Sequence, residues 1–186
     1  SGSFAPTQEE VTYNITSNHV HLLVYAEGVD STAKLMQQAA GEMARDYNRR
    51  KGRSGAFWEG RYHATMVGSG EYLWECLKYI ELNRVRCGVA THPSEWEGSG
   101  YGELRGRRRP HQLLDVDKLL WLVQCGSAME FRADFNAALN KALLDHELER
   151  QAKWTEAIAV GERALVEGIE AQIQSRQQMQ ISQNGG

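Results

Sequence analysis

Two histidines, one residue apart, are the side chains of this sequence best suited to chemistry. His19 and His21 flank Val20 within an apolar run that extends to Tyr25. Because side chains alternate between the two faces of a β-strand, a strand here places both imidazoles on the same face. Two neighbouring imidazoles on a rigid strand form half of a site for a divalent metal ion. The pair alone is also compatible with ordinary histidines at the end of a strand.

A second candidate pair lies in the segment 71–86. Apolar residues recur there at helical spacing, which predicts an amphipathic helix. Tyr79 and Asn83 are four residues apart, so on a helix they are neighbours at the edge of the buried face. Taken alone, the pattern is typical of a boundary tyrosine with a satisfied hydroxyl and an ordinary polar neighbour.

These two pairs belong to a longer series of segments in a fixed order. The series is 18–23 (NHVHLL), 55–63 (GAFWEGRYH), 79–83 (YIELN), 85–89 (VRCGV), then His92, Pro93 and Trp96. It resembles the HUH-type single-tyrosine transposases, and among them the REP-associated tyrosine transposases of bacteria. The resemblance covers residues 10–102. One departure is Arg84, where that family usually has proline or a small apolar residue.

The resemblance implies a set of roles for the site residues. His19 and His21 are then two ligands of Mg²⁺ or Mn²⁺, and Asn83 supplies a third, oxygen ligand. Tyr79 is the nucleophile, which stores the cut bond as a 5′-phosphotyrosine and leaves a free 3′-hydroxyl. The metal compensates for the weak nucleophilicity of an unactivated phenol, whose pKa is about 10.

Basic and aromatic side chains near the middle of the chain predict a path for single-stranded or hairpin DNA. Cationic groups track the phosphates, and rings stack on unpaired bases. The expected contacts are Arg45, Arg49, Arg50, Lys51, Arg53, Trp58, Arg61 and Tyr62. A second basic cluster comprises Arg105, Arg107, Arg108 and Arg109. The alternative is that both clusters are solvated surface, and that Trp58 is a core anchor.

The pattern of elements predicts an α+β fold, with a small antiparallel sheet flanked by helices and a C-terminal helical extension. Strands are expected at 11–15, 19–26 and 62–67, and helices at 31–50, 71–86, 113–123, 131–148 and 160–173. The expected domains are a catalytic domain over 1–103, a basic linker over 104–112, helices over 113–175 and a disordered tail over 176–186. The resemblance implies a ferredoxin-like or RRM-like core. The catalytic domain of the family normally begins several tens of residues earlier. Two forms of the core are therefore compatible with this sequence, one that has the first strand and one that lacks it.

Composition favours a globular protein, and the resemblance implies that it acts inside a bacterial cell. Hydrophobic residues make up 41% of the 186 residues and charged residues 24%, and no apolar run approaches the roughly 18 residues that span a bilayer. No signal peptide is visible, so a cytoplasmic, nucleoid-associated protein without a membrane partner is expected. The formal charge of −3 hides an asymmetry, since residues 1–110 carry 14 basic against 13 acidic side chains. A monomer and a homodimer are both compatible with the sequence.

Two functions follow from the resemblance. The first is metal-dependent nicking and strand transfer on single-stranded DNA at REP-like hairpins. The second is hairpin binding by a catalytically impaired descendant of such a transposase. A third hypothesis places the function in the C-terminal half, as a helical interaction module.

Overall fold

The computed structural model describes residues 8–26, 29–107 and 112–184. Strands β1 (Gln8–Ile15) and β2 (Val20–Ala26) pair in antiparallel register, with Asn14 opposite His21 and an irregularity between Glu10 and Thr12. β-branched and aromatic residues dominate both strands, as expected for a pleated, half-buried surface. The predicted α+β class, with a small antiparallel sheet flanked by helices and helices towards the C-terminus, is confirmed.

Seven helices and two further short strands complete the described part of the chain. The helices are α1 (Val29–Lys51), α2 (Glu71–Glu81), α3 (Asn83–Arg86), α4 (Tyr101–Leu104), α5 (Val116–Leu122), α6 (Ala128–Leu144) and α7 (Arg163–Asn184). Strands β3 (Met66–Val67) and β4 (Ala159–Val160) pair in parallel. Single 3₁₀ turns lie at Pro93–Glu95 and Ala152–Trp154. Among the described residues, no helix is long and apolar enough to span a membrane.

One hydrophobic core joins the sheet to the C-terminal helices. Its fully buried members come from β1, α2, α4, α5 and α6, and they include Val11, Leu77, Leu104, Leu119 and Phe135. Leu104 and Leu114, which lie at the start and just after the end of the predicted linker, belong to the same core. The C-terminal helices therefore stabilise the sheet directly, because they bury the same apolar surface.

Three predicted elements differ in the structure. The strand expected over 62–67 is confined to Met66–Val67. Just after it, the backbones at Gly68 and Gly161 are in close contact, because a Cβ added at Gly68 would lie 3.1 Å from Gly161 Cα. The helix expected over 71–86 breaks at Leu82, whose φ and ψ are −77° and 0°. Helix α7 continues to Asn184, through most of the expected disordered tail. Arg108, Arg109 and residues 1–3 lie outside the described residues.

Candidate active site

The two histidines lie side by side at the start of β2. His19 immediately precedes the strand and His21 is its second residue. Their ring centroids are 4.9 Å apart and the rings meet edge to face. His19 is exposed and His21 is half-buried, so the pair lies between solvent and the helix packed beside it.

The predicted helical pair meets the histidines. Asn83, the first residue of α3, places its Nδ2 3.0 Å from His21 Nε2. The Tyr79 ring, in the last turns of α2, has its centroid 6.4 Å from that of His21. The Oδ1 atom of Asn83 is buried and has no hydrogen-bond partner within the described structure. The structure thus brings all four residues into one group, although they come from three elements.

Two buried polar contacts fix the helix against the sheet below this group. The Asn14 amide donates a 2.9 Å hydrogen bond to the Ile80 carbonyl, and the Thr12 hydroxyl donates a 2.5 Å hydrogen bond to Glu81 Oε1. Thr12 and Asn14 are 0% exposed, and Glu81 is 1% exposed. Because buried polar groups are costly when unpaired, these contacts specify one arrangement of β1 against α2. No local sequence signal pointed to them.

The electrostatics of the site keep both imidazoles neutral. Burial, followed by the nearby His19 and Arg86, lowers the pKa of His21 to about 4. Burial and the charge of Arg84 also lower the pKa of His19. A neutral imidazole keeps a lone pair available to a metal ion. At physiological pH both imidazoles are therefore in the neutral form that a metal ligand requires.

A cation and an indole enclose the tyrosine. The Arg86 guanidinium lies 4.0 Å from the Tyr79 ring centroid, and its Nη2 donates a 2.8 Å hydrogen bond to the Tyr79 carbonyl. The Trp154 ring lies 6.2 Å from the Tyr79 ring, and the two residues share a small apolar cluster with Cys76 and Ile80. Tyr79 is consequently only 6% exposed. No sequence pattern predicted this cover, because Trp154 is far from Tyr79 along the chain.

The cover is held in place by the segment that leads to β4. The Thr65 hydroxyl donates a 2.7 Å hydrogen bond to the Ala157 carbonyl, and His63 Nε2 lies 3.1 Å from the same oxygen. Strands β3 and β4 begin just after these residues and pair with each other. Residues just before α2 and residues between α6 and α7 thus meet beside the tyrosine.

Comparison with known proteins identifies the part of the chain that carries this group. The family model described as "Transposase IS200 like" matches residues 7–83, which include all four site residues. This segment is similar to the IS200-like transposases, which are of the HUH single-tyrosine type. No curated protein and no solved structure matches the chain. This match supports an enzyme that acts on DNA. Helices α5, α6 and α7 and the segment around Trp154 lie beyond it.

The predicted DNA contacts of the transposase domain form a separate region around the end of α1. Arg49 pairs with Asp46 at 2.8 Å, with both side chains largely exposed, and the Arg50 Nε donates to the Asp46 carbonyl. Arg53 donates to the Ala56 carbonyl and lies 5.8 Å from the Tyr47 ring centroid. Arg45, Lys51 and Arg61 are exposed. None of the hydrogen bonds, ion pairs or ring contacts of the described residues joins this region to the histidine group.

The two aromatic candidates of this region differ. Tyr62 is 47% exposed, which leaves its ring free to stack on a base. Trp58 is half-buried, donates a 2.9 Å hydrogen bond from Nε1 to the Ala40 carbonyl and packs edge to face on Phe57. Trp58 therefore anchors the 55–63 segment to α1, while a stacking role for it stays a prediction.

Proposed function

We propose that this chain nicks and rejoins single-stranded DNA through a 5′-phosphotyrosine on Tyr79, at hairpins of the REP type. The observation that carries the proposal is the 3.0 Å contact between Asn83 and His21 beside the Tyr79 ring. It supports a single site with two imidazoles, an amide and a phenol. In a bacterium, such a protein acts in the cytoplasm, on the nucleoid.

Mg²⁺ or Mn²⁺ fits the side chains of this group. The described residues hold no cluster of three His, Cys, Asp or Glu side chains that could bind a metal, so the site depends on Asn83 for a third ligand. Its Oδ1 is buried without a partner, and a 180° turn of the amide exchanges Oδ1 and Nδ2. Oδ1 would then face His21 Nε2, and His19, His21 and Asn83 would hold the cation. An amide oxygen also favours a hard cation over Zn²⁺.

The chain's own residues account for the covalent step. The Tyr79 oxygen forms a bond to the scissile phosphorus, the bond to O3′ breaks, and the phenolic proton is released while the 3′-hydroxyl forms. The reverse step, with a 3′-hydroxyl as nucleophile, rejoins the strands. A bound divalent cation polarises the phosphate and stabilises the leaving oxygen.

One observation favours a second candidate, a hairpin-binding protein with impaired catalysis. Tyr79 is 6% exposed beneath Trp154 and Arg86. These two side chains cover most of Tyr79, so a phosphate has more room beside the phenol if one of them moves. If neither moves, the basic region of α1 still binds DNA but the tyrosine does not react.

A covalent adduct assay separates the two functions. Full-length protein is mixed with a 5′- or 3′-labelled oligonucleotide that carries a REP-type hairpin, with Mn²⁺ or with EDTA, and run on a denaturing gel. The proposal predicts a protease-sensitive shifted band only with Mn²⁺, and only when the label lies 3′ of the cut. A complex on native gels without any adduct would support the binding protein instead.

A further inference from the structure

A polar cavity lies between the segment 92–107 and α6. Its volume is about 320 Å³, and it is lined in part by Arg105, Arg107 and His92 from one side and by Asn136 and Asn140 of α6 from the other. No Asp or Glu is among its described lining residues. A cavity of this size accommodates a phosphate with part of its sugar.

The lining presents mostly hydrogen-bond donors. His92 Nδ1 accepts a hydrogen bond from the Ser94 backbone nitrogen, so the proton of the neutral ring is on Nε2. Asn136 accepts from the Tyr101 hydroxyl through Oδ1, which leaves its amide nitrogen as a donor. Neither Arg105 nor Arg107 forms an ion pair with a carboxylate in the described part of the chain. Cationic and neutral donors without an acidic neighbour are the chemistry that recognises a phosphate.

The segment that forms one wall of the cavity also reaches the candidate active site. Trp96, just after the Pro93–Glu95 turn, stacks under the Arg84 guanidinium at 4.1 Å and donates to the Ile15 carbonyl at the end of β1. Arg84 directly follows Asn83, the residue of the candidate active site that contacts His21. The cavity and the histidine pair therefore flank one short stretch of chain, residues 92–96.

We propose that this cavity binds a backbone phosphate of the DNA strand on which the active site acts. Arg105 and Arg107 neutralise the phosphate, and the amides of Asn136 and Asn140 orient it. The inference rests on the proposed function, because it takes DNA as the ligand. It gives α6, which lies outside the family match, a direct part in DNA binding.

The test measures DNA affinity without cleavage. Full-length wild type and the double variant Arg105→Gln/Arg107→Gln are titrated into fluorescein-labelled single-stranded DNA in EDTA at several salt concentrations. Loss of two phosphate contacts should weaken binding about tenfold and lower the slope of log K against log salt by about 1.4. The matched control is Arg163→Gln/Arg176→Gln on α7, which removes the same charge from exposed positions. It should change the slope by much less.

A second variant guards against indirect effects. Asn140→Asp keeps the size of an exposed side chain and adds a negative charge to the cavity, so it should also weaken DNA binding. Equal affinities and slopes for the cavity variants and the α7 control would overturn the inference. The inference would also be overturned if the Arg105→Gln/Arg107→Gln variant lost saturable binding of thymidine monophosphate but kept its affinity for DNA. Loss of the adduct with normal binding by wild type would contradict only the proposed catalysis, whereas wild type that binds no DNA would overturn both proposals.

Discussion

Asn14 lies directly opposite His21 in the antiparallel pairing of β1 and β2 and also donates a hydrogen bond to the carbonyl of Ile80. One buried amide therefore connects the strand of the histidine pair to the helix turn that carries Tyr79. The distance between imidazole and phenol is set by this contact and by the neighbouring Thr12 to Glu81 hydrogen bond. The following predictions test the site and the scaffold that holds it.

Tyr79→Phe should abolish the covalent adduct and leave hairpin binding within about twofold of wild type, because only the phenolic oxygen is removed. Adduct formation is followed on denaturing gels and binding by anisotropy. Tyr72→Phe is the matched control, since Tyr72 is on the same helix but 37% exposed. An adduct that persists in Tyr79→Phe and disappears in Tyr72→Phe would assign the nucleophile to Tyr72.

His19→Ala and His21→Ala should each remove Mn²⁺-dependent cleavage while the protein stays folded by circular dichroism. Because the pKa of His21 is lowered to about 4, its ring stays neutral on acidification below pH 6.5. Mn²⁺ affinity of the wild type, measured by calorimetry, should therefore fall only as the pH approaches about 4. A loss of affinity centred near pH 6.5 would show that the ligand histidines titrate like free ones.

Glu81→Gln should change how stability depends on pH. Burial raises the pKa of Glu81 to about 8, against hydrogen bonds that lower it. A raised carboxyl pKa stabilises the fold fully below the unfolded value of about 4.5, and this stabilisation is lost as the pH rises through about 8. Urea unfolding should show the free energy of the wild type falling between pH 5 and 9, with a flatter curve for the variant. Parallel curves would mean that Glu81 is ionised in the fold.

Trp154→Ala should destabilise the protein by about 3 kcal/mol, since a large indole leaves the cluster around Tyr79. Trp121→Ala is the control, because that side chain is 66% exposed and should cost less than about 1 kcal/mol. Urea unfolding monitored by circular dichroism measures both. Similar small losses for the two variants would show that the C-terminal segment does not support the transposase domain.

Replacing Arg49, Arg50, Lys51 and Arg53 with Ala should weaken hairpin binding and reduce the salt slope by roughly 2 to 3. Base preference should hold, because backbone contacts position DNA without reading its sequence. Competition with oligonucleotides of altered sequence checks this point. An unchanged affinity and slope would mean that the end of α1 is only solvated surface.

The sequence was informative where its signals are local. Alternation and helical spacing predicted β1, β2, α1 and the tyrosine helix, and the His19 and His21 pair follows from the period of a strand. The approach of Asn83 to His21 was expected through the resemblance and not from spacing, because no periodicity relates a strand to a helix distant in sequence.

The surroundings of the site had no local signal. The pairing of Val67 with Val160, the packing of Trp154 on Tyr79 and the core shared with α6 all join residues far apart in the chain. Short strands of two residues carry no usable alternation. The break at Leu82 involves an apolar residue with good helix propensity, and it follows from tertiary packing, which overrides propensity.

The parallel pairing of β3 with β4 also has a consequence for biosynthesis. Met66 and Val67 cannot pair until Ala159 and Val160 have left the ribosome, which happens much later in synthesis. Contacts of such large sequence separation form slowly, because loop closure must precede them. Until then Trp154 does not cover Tyr79, so the growing chain passes through a stage in which Tyr79 and one face of its helix are exposed.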